Sequence, residues 1–195
     1  MPLVLLNKPF RVLCQFTDDQ GRETLADFVD VPAVYAAGRL DRDSEGLLLL
    51  TDDGRLQSRI SHPRFKLDKH YWVQVEGQPE ERQLDALRTG VSLKDGSARA
   101  LNAAIVDAPP GLWSRDPPIR VRQRIPTTWL DIVVDEGRNR MVRRMTAAAG
   151  LPTLRLIRHR IGPWCLDALE PGEWRQIETE AAWRQLKRYS PPPFA

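Results

Sequence analysis

Asp41 stands between Arg39 and Arg42 in the segment GRLDRDSEGLLLLTDDG, residues 38–54. A carboxylate held beside guanidinium groups stays ionised and fixed, as a nucleophile or an electrostatic partner must be. The run Leu47-Leu48-Leu49-Leu50 follows directly. Short, apolar and bounded by turn formers, it reads as a core element that anchors the charged turn from behind. Taken alone, such a turn could equally be a solvated loop whose Arg and Asp side chains face water.

Two further stretches carry residue types suited to chemistry. In Lys69–Glu76, alternation places Tyr71, Val73 and Val75 on one face of a strand and His70, Trp72, Gln74 and Glu76 on the other. An isolated tyrosine in that pattern is as well explained by core packing. In Glu136–Met145, helical spacing gathers Arg140, Arg143 and Arg144 on one face and Met141, Met145 and Ala148 on another. Between Ile119 and Arg160 ten arginines face three acids, and Gly137–Arg160 contains no acid at all. A one-sign concentration of this kind inside a folded region points to a polyanionic partner, most simply nucleic acid.

The elements that must position these residues are legible in outline. Leu3–Leu6 reads as a strand, Arg11–Phe16 as a second extended piece, and Thr24–Val29 as one or two helical turns. Leu56–Ile60 reads as a helix ending before His62-Pro63. Glu80–Thr89 reads as a helix closed by Gly90, and Trp129–Val134 and Leu154–Ile161 as strands. Asn139–Ala149 reads as a helix capped by Asn139 and Gly150, and Ala181–Tyr189 as a closing helix. The proline-rich stretch 107–127 is a long loop, uncommon in a compact domain unless it has a task. Residues 190–195 read as a disordered tail.

Composition excludes several classes. No apolar stretch approaches the roughly 20 residues that span a bilayer, and the start lacks a basic leader, so no membrane role and a cytoplasmic residence are expected. Cys14 and Cys165 are far apart and outside any CxxC pair, which favours core thiols over a disulfide. No two of His62, His70 and His159 have metal-ligand spacing, so no metal is expected.

The segment around Asp41 resembles the catalytic motif of the RNA pseudouridine synthases, in the branch that modifies ribosomal RNA. There GRLD is followed by Ser/Thr-x-Gly and an LLLLT run. Four other pieces resemble the same branch: Asn7-Lys8-Pro9, Lys69-x-Tyr71-x-Val73, Glu136–Met145, and, near the C-terminus, Leu154–Arg158 with Gly172–Arg175. Met141 departs from the polar residue often found at its position. NKP begins at residue 7, which leaves no room for the N-terminal S4-type module usual in the branch. That feature, with Tyr35-Ala36-Ala37 and the RDSEG run, resembles a subgroup acting on the large ribosomal subunit.

The resemblance implies an α+β fold: a mainly antiparallel mixed sheet with flanking helices, two subdomains around a basic cleft, and one catalytic domain over 1–189. It implies isomerisation of a specific uridine in a 23S ribosomal RNA stem-loop by a monomer without a cofactor. Asp41 would be the catalytic aspartate and Arg143 its partner. Tyr71 would supply an aromatic surface for a uracil taken out of its stack. Val142 would line the base pocket, and Arg39, Arg138, Arg140 and Arg144 would contact phosphates. Two other classes use the same residues. One is a phosphotransferase with Asp41-x-Asp43 as its nucleophile pair, which would want the apolar strand before the aspartates and a magnesium ion. The other is a catalytically idle RNA-binding protein.

Overall fold

The computed structural model describes residues 2–120 and 122–193. The last two residues of the expected tail lie outside that range; 190–193 carry no helix or strand. Eleven strands form among the described residues: β1 Pro2–Lys8, β2 Tyr35–Ala36, β3 Glu45–Thr51, β4 Lys69–Glu76, β5 Val91–Leu93, β6 Gly96–Ala98, β7 Asn102–Val106, β8 Thr127–Val134, β9 Thr153–Ile161, β10 Trp164–Cys165 and β11 Trp174–Glu178. Four α-helices accompany them: α1 Gly54–Ser61, α2 Glu81–Thr89, α3 Met141–Ala148 and α4 Thr179–Arg188. The class is α+β, as the sequence implies.

One large mixed sheet runs in the order β11-β1-β3-β9-β4-β8-β7, with β2 on β3 and β10 on β9. Every pairing in it is antiparallel except β3 with β9. That parallel seam is short, Glu45 opposite Ile157 and Gly46 opposite Arg158, and it joins two antiparallel halves. Gly46 has φ +102°, and a Cβ there would lie 2.4 Å from the Arg158 carbonyl oxygen. Only glycine lets the two backbones approach so closely.

The apolar run Leu47–Leu50 is fully buried within β3, because the strand is covered on both faces. Leu47 and Leu49 pack with Leu56 and Ile60 of α1, while Leu48 and Leu50 pack with Val4, Leu6 and Val12. α1 starts at Asp53, whose carboxylate accepts the Arg55 and Leu56 amides at 2.8 and 3.1 Å.

The NKP segment has a structural task. Asn7 donates to the Leu169 carbonyl at 2.8 Å, and its backbone exchanges hydrogen bonds with Glu173 and Gly172. The buried Lys8 ammonium donates to the Pro9 and Val12 carbonyls at 2.6 and 2.9 Å.

The differences from the sequence reading are local. Arg11–Phe16 forms no strand; only an isolated bridge joins Leu13 to Thr24, since Arg11 adopts φ 69° and breaks the extended run. The turn at Leu25–Asp27 is a short 3₁₀ helix capped by Thr24. α3 begins at Met141 rather than Asn139, because Arg140 sits in the left-handed region at φ 49° and is itself the cap. The hairpin β5–β6 and the edge strand β7 carry too little apolar alternation to be read in advance. The two cysteines are free and half-buried, and Cys14 packs against the core.

Candidate active site

Asp41 lies in the turn that precedes β3. Leu40 is buried in the core beside it and donates its amide to the Cys14 thiol at 3.3 Å. Arg42 is tied to Arg11 twice: its carbonyl accepts the Arg11 amide at 2.8 Å, and its Nε donates to the Arg11 carbonyl at 3.0 Å. The Ser44 amide closes the turn on the Asp41 carbonyl at 3.0 Å. The turn is thus clamped at both ends, and the Asp41 carboxylate faces a cavity of about 480 Å³.

Tyr71 from β4, Met141 and Val142 from α3, and Arg39, Arg138 and Arg140 line the same cavity. Tyr71 is 7% exposed and packs against Val142, Leu40 and Leu156. The fold therefore brings Asp41, Tyr71, Val142 and three of the four arginines expected at phosphates to one place. Arg144 does not line it.

Arg143 departs from expectation. Its Nη2 donates to the Asp43 carbonyl at 2.6 Å and its Nε lies 3.6 Å from the Asp43 carboxylate, so its partner is Asp43 and not Asp41. Arg140 grips the same Asp43 carboxylate with two bonds of 2.7 and 2.9 Å and reaches Asp41 only at 3.9 Å. Burial works against the charge on Asp43, but the Arg140 hydrogen bonds and the Arg143 charge outweigh it and hold its carboxyl below the usual range. Burial lowers the Arg143 guanidinium. The physical reason is the late start of α3: with Arg140 as its cap, both guanidiniums converge on Asp43. Asp41 is left to face the cavity.

Two of the remaining arginines are also committed. Arg138 donates to the carbonyls of Asp95, Gly96 and Ser97 at 3.1, 3.3 and 2.8 Å and to Glu136 at 3.1 Å. Arg144 holds the Asp95 carboxylate with bonds of 2.7 and 3.0 Å. Together they clip the β5–β6 hairpin to the entry of α3. Arg39 is exposed and has no hydrogen bond or ion pair among the described residues. If Arg39 meets an RNA phosphate, as the resemblance implies, removing it should flatten the log–log salt dependence of RNA binding by up to about one unit. Arg138→Ala should leave that slope almost unchanged and lower thermal stability instead. Binding titrations across salt concentrations, with melting curves, check both.

The pseudouridine synthase resemblance gave no role to three side chains at the site. Asp43 collects two arginines; Lys69 and Arg158 line the cavity floor. Lys69 and Arg158 were visible inside the KxYxV and LRLIR motifs, but no spacing rule said that both side chains point inward.

Two of the three histidines also meet in space. Ligating atoms of His70, His159 and Asp131 lie within 4.8 Å of one another, on β4, β9 and β8. Separation in sequence hid this. His70 shares a hydrogen bond of 2.7 Å with Asp68, and His159 one of 3.1 Å with Asp131, so the group stands as a paired polar network.

Residues 2–148 match the model of a family described as RNA pseudouridylate synthase. The chain belongs to that family. Among its relatives are proteins named ribosomal large subunit pseudouridine synthase E. The one from Xanthomonas campestris pv. campestris is 58% identical over 181 residues, covering 92% of this chain and 97% of that protein. The one from Vibrio vulnificus is 57% identical over 175 residues, covering 90% of this chain and 74% of the relative. A solved structure titled as a pseudouridylate synthase superposes with a TM-score of 0.75 at 31% identity, over 95% of this chain and 73% of the other. This pseudouridylate synthase fold therefore carries an isomerase, and the cavity is the place where Asp41, Tyr71 and Val142 meet.

Proposed function

We propose that this enzyme isomerises a specific uridine of large-subunit (23S) ribosomal RNA to pseudouridine. The observation that carries the reading is the clamped Asp41 facing a cavity lined by Tyr71 and Val142. Relatives at 57–60% identity bearing the large-subunit name support the choice of RNA.

The C1′–N1 bond breaks, the detached uracil turns, and its C5 rejoins C1′. Asp41 starts this, by attacking C1′ or by helping to expel uracil as a glycal forms. Tyr71 gives the base a face to stack on and can take part in a proton transfer. Val142 lines the base pocket. Arg143 acts one step removed: it fixes Asp43, and so the turn that presents Asp41. Arg39 and, by exchanging Asp43 for phosphate, Arg140 hold the RNA backbone; Arg138 and Arg144 fix the β5–β6 hairpin beside the cavity. No redox step or group transfer to a second molecule occurs, so the chemistry calls for no cofactor.

The catalytic unit spans 1–189 and works as a monomer in the cytoplasm. Exposed large apolar side chains among the described residues are few, Tyr35, Ile105 and Ile125, which supports the monomer. Two free cysteines and a ribosomal substrate support the compartment. Mapping pseudouridine in large-subunit RNA, before and after incubation with the purified protein, tests the reading. One new pseudouridine at a single position is expected; its absence from both naked RNA and assembly intermediates overturns it.

A further inference from the structure

The arginines at the rim of the cavity are paired with acids or lie open to water; the cations of its floor are neither. Arg140 rests on Asp43 and Arg138 on Glu136. At the floor, Lys69 is 9% exposed and donates to the Leu67 carbonyl at 2.6 Å. Arg158 is 3% exposed and donates through Nε to the Leu47 carbonyl at 2.9 Å, while its Nη2 is buried without a partner. Neither has an acid within ion-pair reach among the described residues. A buried cation resting on a neutral carbonyl has lost its water and gained no counter-charge in contact; Asp68 and Asp135 act on Lys69 only from beyond ion-pair distance. Burial pushes the Lys69 ammonium down to about 8, and the Arg158 charge acts in the same direction.

Backbone geometry aims both groups at one spot. Arg158 is the direct cross-strand partner of Tyr71, so the two share a face of the sheet. Lys69 precedes Tyr71 by two residues on that same face, and all three line the cavity with Asp41. The close contact of Gly46 with the Arg158 backbone then fixes Arg158 against the strand that follows the Asp41 turn. Such a pair, placed around a stacking surface, awaits an anion.

Three anions could come there. The Asp41 carboxylate has Arg140 as its cation within 4 Å, at 3.9 Å, and neither floor cation comes that near. RNA phosphates stay at the rim, because a flipped base enters deepest and Tyr71 is nearly covered. The third is the base itself. When the C1′–N1 bond breaks, its electron pair passes to uracil, which leaves as an anion with the charge spread over N1 and its carbonyl oxygens. When C5 bonds to C1′, the charge is returned to that bond, the C5 proton leaves, and N1 takes up a proton. We propose that Lys69 and Arg158 are catalytic residues that hold the carbonyl oxygens of the departing uracil and stabilise its negative charge.

This inference rests on the uridine-isomerisation reading, which wild-type turnover tests by itself. The variants test the inference. Single-turnover cleavage is measured with full-length protein on an RNA carrying uridine or 5-fluorouridine at the mapped target, read as loss of the N-linked nucleoside. Fluorine makes the departing base a weaker base, less in need of cations. Arg158→Gln and Lys69→Gln should each slow uridine cleavage about 10²-fold, the scale of losing one electrostatic stabiliser. RNA affinity should stay within about twofold, and the loss on 5-fluorouridine should be about tenfold smaller. Lys69→Arg and Arg158→Lys keep the charge, and with it the wild-type ratio between the two bases. Equal losses on both bases overturn the proposal, as does weaker binding with an unchanged rate, which would place a phosphate at the floor. If a Gln variant fails to fold, a shifted ratio in the charge-keeping variant overturns it.

Discussion

Asp41→Asn will bind RNA and fail to turn it over, with a rate lower by at least about a thousandfold, the scale seen when a nucleophile is removed. The substitution keeps the size of the side chain and one acceptor oxygen but discards the charge. Its effect on structure should be small. Asp41 does not hold the turn through its carboxylate; the Arg11–Arg42 exchange and the Ser44 amide hold it through backbone. Its nearest cation, Arg140, is at 3.9 Å and keeps both bonds to Asp43 in the variant. Affinity should accordingly change by less than about threefold. Single-turnover kinetics and a binding titration on the same preparation settle the matter. Substantial turnover in pure Asn variant would remove Asp41 from the chemistry, and a large loss of affinity would make it a binding residue.

The family resemblance implies a pairing of Arg143 with Asp41, since a motif says which residues are needed but not which of two neighbouring carboxylates a guanidinium will reach. That choice turns on the backbone at Arg140. Its φ of 49° is a conformation that nothing in an arginine codon announces, and it delays α3 by two residues. The cleft was implied by the resemblance, and the elements around it were legible, because GRLD with its leucine run, the strand Lys69–Glu76 and the helix after Arg140 each have strong local patterns. Pattern length explains this: β4 spans eight residues with the expected bounds, and β3 is buried throughout.

What escaped were groups defined by pairing across strands. Arg158 faces Tyr71 only because β9 bulges between the positions opposite His70 and Tyr71, which turns His159 toward Asp131 on β8. A single-residue register shift of this kind reverses which face a side chain occupies and leaves no trace in composition. The arginines illustrate the same limit from another side. Counting charge found the basic region, but Arg138 and Arg144 spend their donors on a hairpin that the sequence did not reveal.

Glu45→Gln should lower the stability of the whole protein by about 3–5 kcal/mol, the usual result of removing one partner of a buried ion pair. Glu45 is 1% exposed and opens β3. Its carboxylate accepts Arg155 Nε and Nη2 at 2.9 and 2.8 Å and the Trp113 indole N–H at 2.8 Å, and Arg155 Nη1 closes the circuit on the Trp113 carbonyl at 3.1 Å. The glutamine amide would turn donors toward a guanidinium and an indole, both of which need acceptors, and Arg155 would keep a buried charge without its counter-ion. Two regions should respond. Trp113 anchors the long loop over 107–126, so its docking should loosen, visible as changed tryptophan emission and faster proteolysis in that loop. The seam at Gly46 is next to Glu45, so turnover should fall with stability while Asp41 is untouched. A double variant, Glu45→Leu with Arg155→Met, removes both charges and should recover most of the loss, because an apolar pair of similar volume often substitutes for a buried ion pair. Urea unfolding of the two singles and the double forms a cycle that isolates the coupling. If the double variant is as unstable as Glu45→Gln, the site depends on shape and hydrogen bonding to Trp113 rather than on charge.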